Sequence, residues 1–427
     1  MSESTICVGI SLRDTSQERA ARSLEELRSL ASTAGGEVVD ALVFNVRRIT
    51  AATYLGMGQI RELEERVSER EAELVAINAE LTGTQTRNLE EKLQARVIDR
   101  TGLILDIFAL RAQTLEGKLQ VELAQHAYRL PRLTGRGAQL SRLGGGIGTR
   151  GPGETVLETD RRMIRKRMAQ IKRRLDHVRR TRATQREGRS RRDIPVAAVV
   201  GYTNAGKTTL INRLAGTDLR AADMLFATLD PALRQIVLPG KVPMLLSDTV
   251  GFIQDLPHQL VEAFQATLEE VREADLLLHV VDASDAGMDD QIDAVNDVLE
   301  QIGAGERPRL TVYNKIDLVK GDQRVELFRK TQNSGSSVLV STISGENIEE
   351  LQLSLARVAG QPIYSVELEV SQDFSGMVHD LHRRSEVLST EENGADIRLT
   401  ALMGYTLLKE IKNHDGQGIC IIREQQL

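Results

Sequence analysis

The sequence predicts an α/β protein of several domains. A mostly parallel sheet with flanking helices is expected over residues 193–361. It is preceded by a small α/β domain (1–112) carrying a long antiparallel helical hairpin (113–192), and followed by a small α/β C-terminal domain (362–427). Three observations predict this. Short apolar runs alternate with amphipathic stretches near the start and in the middle of the chain, the pattern of parallel sheets with crossover helices. Between them Ile164, Met168, Ile171, Leu175 and Val178 recur at 4-3-4-3 spacing, the seam of a coiled coil. At 427 residues the chain exceeds what one hydrophobic core organises.

The first domain begins with an apolar run at 6–12, read as a strand. Residues 17–34 have helical spacing, with Leu24, Leu27 and Leu30 on one side. Residues 38–46 return to strand, 59–70 are charged and helical, and 74–77 are strand again. A helix at 86–94, a strand at 96–98 and a helix at 104–110 complete the domain. The segment from Tyr54 to Gly58, a glycine pair before a helix, is read as a simple turn rather than a phosphate cradle, because a lone GxG carries little information.

The hairpin follows. Leu115, Leu119 and Leu123 begin one helical stripe. Gly and Arg dominate 133–153, and a second helix carries Leu157 and the seam. From Arg161 to Arg192 there are 15 Lys and Arg against Asp176 and Glu187, a net of +13. The whole chain carries −6, so the remainder carries −19. A concentrated basic element on an acidic body points to a polyanion bound at one place. The charges lie off the seam and face solvent. Aromatic residues are only 3%, with no Trp, which argues against base stacking as the main grip on nucleic acid. Arg132, Arg136, Arg142 and Arg150 in the glycine-rich loop, with Arg161, Arg162, Arg165 and Arg174 on the helix, are the candidate RNA contacts.

Composition limits the remaining classes. Cys7 and Cys420 form neither a disulfide framework nor a zinc spacing. No signal peptide is read, and the longest apolar run near the middle, at 276–281, is far shorter than the ~20 residues of a membrane span. A cytoplasmic monomer is expected.

The central domain carries four ordered motifs, each at the end of an apolar strand. Residues 196–200 lead into Gly201-Tyr202-Thr203-Asn204-Ala205-Gly206-Lys207-Thr208, which is GxxxxGK[ST] between strand and helix. Its backbone N–H groups and the following helix N-terminus suit phosphates, Lys207 reaches the β- and γ-phosphates, and the Thr208 hydroxyl suits Mg2+. Asp248-Thr249-Val250-Gly251 follows 244–246. The Asp would hold Mg2+ through water and the Gly N–H would meet the γ-phosphate. Asn314-Lys315-Ile316-Asp317 follows 310–312, and a carboxylate at Asp317 accepts from the N1–H and 2-amino group that guanine has and adenine lacks. Asn314 would tie this loop to the first motif, and the Lys315 stem would pack on the base. Ser341-Thr342-Ile343 follows 338–340 and would support guanine O6. Between the first two motifs lies Phe226-Ala227-Thr228-Leu229-Asp230, whose Thr228 is the candidate to meet Mg2+ and the γ-phosphate. Together these define a P-loop GTPase domain that binds GTP or GDP with Mg2+. Lys207, Thr208, Thr228, Gly251 and Asn204 are its candidate catalytic residues.

Hydrolysis lacks one familiar part. Where many GTPases carry a water-orienting Gln after the DxxG glycine, this chain has Phe252. Slow turnover alone and acceleration by a partner are expected. Asn204 resembles the P-loop Asn of potassium-stimulated GTPases, so K+ is a candidate second cofactor. An Asn that merely hydrogen-bonds its loop is the alternative.

The chain resembles the HflX family of ribosome-associated GTPases. The resemblance rests on RVIDRTGLILDIF at 96–108, EGKLQVELAQ at 116–125, GGGIGTRGPGE at 144–154 with ETDRR at 158–162, and the strings GYTNAGKT, FATLDP and DTVGFI. It implies binding to the large ribosomal subunit and its rRNA, splitting of stalled or idle ribosomes during stress, and a hairpin loop (130–154 here) approaching rRNA near the peptidyl transferase centre. For some members it also implies ATP use by the N-terminal region, with RNA unwinding. The chain departs from the family at Thr342, where Ala is usual, and over 126–143. An ATP-dependent RNA helicase and a GTPase signalling switch with a protein or membrane partner are the competing readings.

Overall fold

The computed structural model describes all residues except 1, 13–15, 134–151, 191–193, 218–224, 227, 230–231, 255–264, 335, 372–373, 394–395 and 417. The chain forms two compact units. The first comprises residues 1–185, 223–230 and 255–266, and the second the remainder.

The first unit opens with β1 (Ser4–Ser11), α1 (Gln17–Thr33), β2 (Glu37–Asn45), α2 (Met57–Arg70), β3 (Leu74–Ile77), α3 (Gly83–Leu93), β4 (Arg96–Asp99) and α4 (Arg100–Arg111). The sheet is parallel throughout, in the order β2-β1-β3-β4. Ile6, Val8, Leu42, Phe44, Ile77 and Val97 from the strands meet Ile60, Leu63 and Leu89 from the helices in one core. Local signals fix the helix starts: Thr82 accepts from the Gln85 N–H while Gln85 reaches back to Thr82 N, a reciprocal cap.

Two long helices follow, α5 (Leu115–Arg132) and α6 (Pro152–Ser190). Ile171 and Leu175 of α6 are buried against Leu119, with Leu123 packed alongside. Ile164, Met168 and Val178 on the same stripe are half-buried. Arg167 adds two bonds, at 2.7 and 3.1 Å, to the Glu122 carboxylate across the hairpin. Arg136, Arg142 and Arg150 fall outside the described residues, as do most of residues 130–154.

The second unit contains two sheets. The larger is built from β5 (Val196–Gly201), β6 (Ala232–Leu238), β7 (Val242–Asp248), β8 (Leu276–Asp282), β9 (Arg309–Asn314) and β10 (Ser337–Leu339). Its order is β10-β9-β8-β5-β7-β6, parallel except that β6 runs antiparallel to β7. Its helices are α7 (Lys207–Ala215), α8 (Gln265–Glu273), α9 (Met288–Gln301), α10 (Asp322–Ser334) and α11 (Ile348–Val358). Central strands are apolar on both faces: Leu276 to Val280 are all at most 2% exposed, including His279. Burial drives the His279 pKa from 6.5 down to about 3, so this core histidine is neutral at ordinary pH.

The smaller sheet joins β11 (Ile363–Ser371), β12 (Glu386–Asn393), β13 (Asp396–Gly404) and β14 (Ile419–Gln426) in the antiparallel order β12-β13-β11-β14. With α12 (Ser375–Arg384) and α13 (Tyr405–Lys412) it forms its own core around Val366, Leu368 and Val370, which alternate inward along β11. The tip of the β6–β7 hairpin docks on it. The Gly240 N–H donates to Glu386 Oε2 at 3.0 Å, and Lys241 Nζ donates to the His382 carbonyl at 2.6 Å.

Candidate guanine-nucleotide site

Four loops at the carboxyl ends of β5, β7, β9 and β10 converge in the second unit, the edge where open parallel sheets hold their ligands. The first, 201–206, turns β5 into α7. Gly201 (φ +148°) lies so close to β8 that a Cβ would stand 2.2 Å from the Val280 carbonyl, and Gly206 (φ +91°) would place one 2.3 Å from Asn314 Nδ2. Only glycine lets the loop pass at both points. Lys207 opens α7, is 8% exposed, and donates through Nζ to the carbonyls of Gly201 (3.0 Å) and Tyr202 (2.6 Å). Burial lowers its pKa from 10.5 to about 8, with Asp248 pulling the other way. An ammonium so poorly solvated at a helix N-terminus is tuned to receive an anion.

The second loop is tied to the first. The Thr203 N–H donates to the Phe252 carbonyl (2.7 Å), the Phe252 N–H to the Gly201 carbonyl (3.1 Å), and the Gln254 N–H to the Tyr202 hydroxyl (2.8 Å). Phe252 is 2% exposed, so its ring is core and cannot orient water. A Cβ on Gly251 would stand 3.0 Å from Lys207 Nζ, so this glycine abuts the phosphate-binding lysine. Thr208 Oγ1 lies 3.4 Å from Asp248 Oδ2, and Asp248 is 4% exposed. A hydroxyl and a carboxylate side by side form an oxygen donor set that fits Mg2+. The buried Thr249 hydroxyl donates to the Val199 carbonyl (2.6 Å), and Val250 is also buried.

The base loops are fully cross-braced. Asn314, 0% exposed, donates through Nδ2 to the Ala205 carbonyl (3.0 Å) and accepts at Oδ1 from the Thr342 N–H (3.2 Å) and hydroxyl (3.1 Å). The Ser341 hydroxyl donates to Asp317 Oδ1 at 2.6 Å. Ile316 is buried, whereas Ile343 is 76% exposed. Lys315 has a left-handed backbone (φ +63°), and its ammonium sits 2.6 Å from Asp282 Oδ2 at the end of β8. Asp282 was not anticipated, since it belongs to no motif. Its only sequence signal is an acid closing an apolar strand before Ala283 and Ser284.

Residues 225–229 belong to the first unit. There Phe226 and Leu229 are buried, and the Phe226 ring meets Phe108 of α4 edge-on at 4.7 Å. The Phe226 side chain, expected among the nucleotide contacts, is therefore a packing residue of the first unit. Thr228 is half-buried, and Ala227 and Asp230 lie outside the described residues.

Arg132 also requires correction. Its guanidinium bonds Asp99 Oδ2 (2.7 Å) and the Leu81 carbonyl (2.6 Å) and lies over the Tyr128 ring. Asp99, 1% exposed, further accepts from the Tyr128 hydroxyl and the N–H groups of Leu81 and Gly102. A buried carboxylate needs a cation, so Arg132 turns inward and is no free RNA arm. Of the helix candidates, Arg162, Arg165 and Arg174 are exposed and Arg161 is half-buried. Of the Tyr54–Gly58 segment expected to turn, residues 54–56 lead into α2, which already holds Met57 and Gly58: Thr50 and Tyr54 exchange backbone bonds at 3.0 and 2.7 Å, and the Gly56 N–H donates to Gln59 Oε1.

A six-stranded, mostly parallel sheet with a glycine loop around a buried lysine, an Asp–Thr pair and an Asn-Lys-Ile-Asp loop defines a P-loop GTPase. Three family models match: "GTP-binding GTPase N-terminal" over residues 21–109, "GTP-binding GTPase Middle Region" over 111–189, and "50S ribosome-binding GTPase" over 196–315. GTPase HflX of Caldanaerobacter subterraneus subsp. tengcongensis is 52% identical over 78% of each chain. GTPase HflX of Lacrimispora saccharolytica is 45% identical over 96% of each. A crystal structure of a GTP-binding protein from Sulfolobus solfataricus in complex with GDP has 24% identity and a TM-score of 0.45, covering 84% of this chain and 99% of that one. The chain belongs to the HflX family of GTPases. It binds GTP and hydrolyses it to GDP and phosphate. Among the described residues, no helix is long and apolar enough to cross a membrane.

Proposed function

We propose that this GTPase uses its nucleotide cycle to control binding to the large (50S) ribosomal subunit through the basic hairpin, and that it splits or rescues stalled ribosomes. One observation carries the reading: α6 has one apolar edge packed on α5, while Arg162, Arg165 and Arg174 stand exposed on a segment of net +13. A solvated coiled-coil face needs no such excess of one sign. A phosphate backbone does. The match to a family model described as a 50S ribosome-binding GTPase supports the same partner.

At the nucleotide, the proposal assigns 201–208 to the phosphates, Asn314 to Asp317 and Ser341 to Ile343 to the base, and Gly251 to the γ-phosphate. Thr208 and Asp248 would hold Mg2+, with Thr228 as the candidate to join them in the GTP state. Mg2+ bound there would supply positive charge to offset that of the phosphates. Lys207 binds the same oxygens, and the N–H groups of the loop orient them. We assign Asn204, exposed and in a left-handed backbone (φ +60°), a part in holding K+ at the phosphates, and equal rates in K+ and Na+ buffers would exclude this. ATP is left out of the proposal, because the N–H groups of Thr50, Tyr54 and Gly56 ahead of α2 are bonded within that segment and to Gln59. In this reading the chain divides into domains at 112, 192 and 361.

The test is cosedimentation with large subunits in a non-hydrolysable GTP analogue. Charge reversal of Arg161, Arg162, Arg165 and Arg174 together should abolish it and leave GDP affinity within about twofold. Persistent cosedimentation would reduce the hairpin to a spacer.

A further inference from the structure

We propose that Asp282, which lies outside every nucleotide motif, is a positioning residue of the guanine site: it holds the Lys315 ammonium so that the lysine stem covers the purine and slows nucleotide release. The proposal deepens the guanine reading and rests on it.

The geometry divides the Asp282 carboxylate between two duties. Oδ1 accepts from the Ser284 N–H (2.9 Å) and hydroxyl (2.6 Å), closing the turn after β8. Oδ2 faces Lys315 Nζ at 2.6 Å. The side chains are only 15% and 22% exposed, so the pair is partly shielded from water. The backbones are joined as well, because the Ala283 N–H donates to the Asn314 carbonyl at 2.9 Å. The end of β8 is thus clamped to the loop that reads the base.

That loop needs a clamp. Lys315 sits at φ +63°, where a side chain with a Cβ is strained, between Asn314, fully engaged with Ala205 and Thr342, and Ile316, whose N–H donates to the Val340 carbonyl. The backbone is fixed on both sides, yet a lysine stem has four rotatable bonds and no preferred direction. A carboxylate fixed by its own turn supplies the direction. The stem is then ordered before the base arrives, so less side-chain freedom is lost on binding, and the complex dissociates more slowly.

The divided carboxylate provides a clean test. In Asp282→Asn the amide oxygen still accepts from Ser284, whereas an NH2 group faces the ammonium and cannot accept from it. The experiment measures release of a fluorescent GDP from the full chain, for wild type, Asp282→Asn, Lys315→Met and the double variant, together with thermal melting of each nucleotide-free chain. The expected result is release about fivefold faster for Asp282→Asn, with melting unchanged and no further acceleration when Lys315 is already Met. Added salt should speed release from wild type and leave Asp282→Asn nearly unmoved. Release at the wild-type rate from Asp282→Asn overturns the proposal. So does an effect that multiplies with that of Lys315→Met, or one that tracks a fall in melting temperature. Failure of the wild-type chain to bind GDP would instead sink the guanine reading itself.

Discussion

At the residue scale, two side chains of the site differ in setting: Asp317 is exposed and Lys207 is buried. Asp317 is held by the Ser341 hydroxyl with its acceptor character intact, which is what selects guanine. Asp317→Asn replaces an acceptor with a donor and should weaken GTP binding by about a hundredfold, while xanthosine triphosphate, with an acceptor at the 2-position, should gain. Competition binding with the two nucleotides checks this, and an unchanged GTP preference would contradict it. Lys207 is different, for its own charge is what burial disfavours. Its pKa of about 8 in the nucleotide-free chain should rise once phosphates face it. Binding between about pH 8 and 10 then takes up a proton, so GDP affinity should fall as pH rises through that window and be flat below it. In the nucleotide-free chain the sign is reversed for folding: the unfolded chain, with the lysine at 10.5, binds more protons there, so stability rises with pH. Lys207→Arg, whose guanidinium does not titrate, should remove its share of the pH dependence of binding.

At the scale of elements, the Asp99 cluster joins the end of β4, the loop before α3 and the last turn of α5. Gly102 belongs to the same joint, since a Cβ there would stand 2.8 Å from the Tyr128 hydroxyl. Arg132→Met strands a buried carboxylate and should cost about 3–5 kcal/mol of stability, read by urea unfolding. If Arg132 were an RNA arm instead, the same change would weaken ribosome binding and leave unfolding untouched. This element also shows what a sequence conceals. The strand at 74–77, the P-loop between β5 and α7, and the seam from Ile164 to Val178 were legible because their signals are local: a run, a spacing, a motif. Arg132 misled because its glycine- and arginine-rich neighbourhood reads as exposed, while its partner Asp99 lies 33 residues earlier in the chain. Asp282 was hidden for the same reason, since its partner Lys315 lies in the loop just after the next strand of the sheet. β6 gives little away because it is an edge strand with Leu233 (37%) and Val237 (58%) turned to solvent. The placement of Phe226 against Phe108 likewise depends on a contact no local pattern encodes.

At the scale of the whole molecule, charge is segregated: a basic hairpin segment of +13 against −19 elsewhere. Binding to large subunits should therefore weaken steeply with salt, with the slope of log K against log salt reduced by about 0.7–0.9 for each phosphate-contacting arginine removed. A slope unchanged by charge reversal on α6 would place the contact elsewhere. The sheet, meanwhile, offers a hydrolysis site with buried Phe252 where a water-orienting side chain is usual, so another group must orient the water. The most direct measurement is the steady-state GTPase rate with and without large ribosomal subunits, on wild type and Lys207→Ala. The account predicts slow turnover alone, an increase of about tenfold or more with subunits, and none in the variant. A wild-type rate that subunits leave unchanged, or stimulation that survives loss of Lys207, would contradict it.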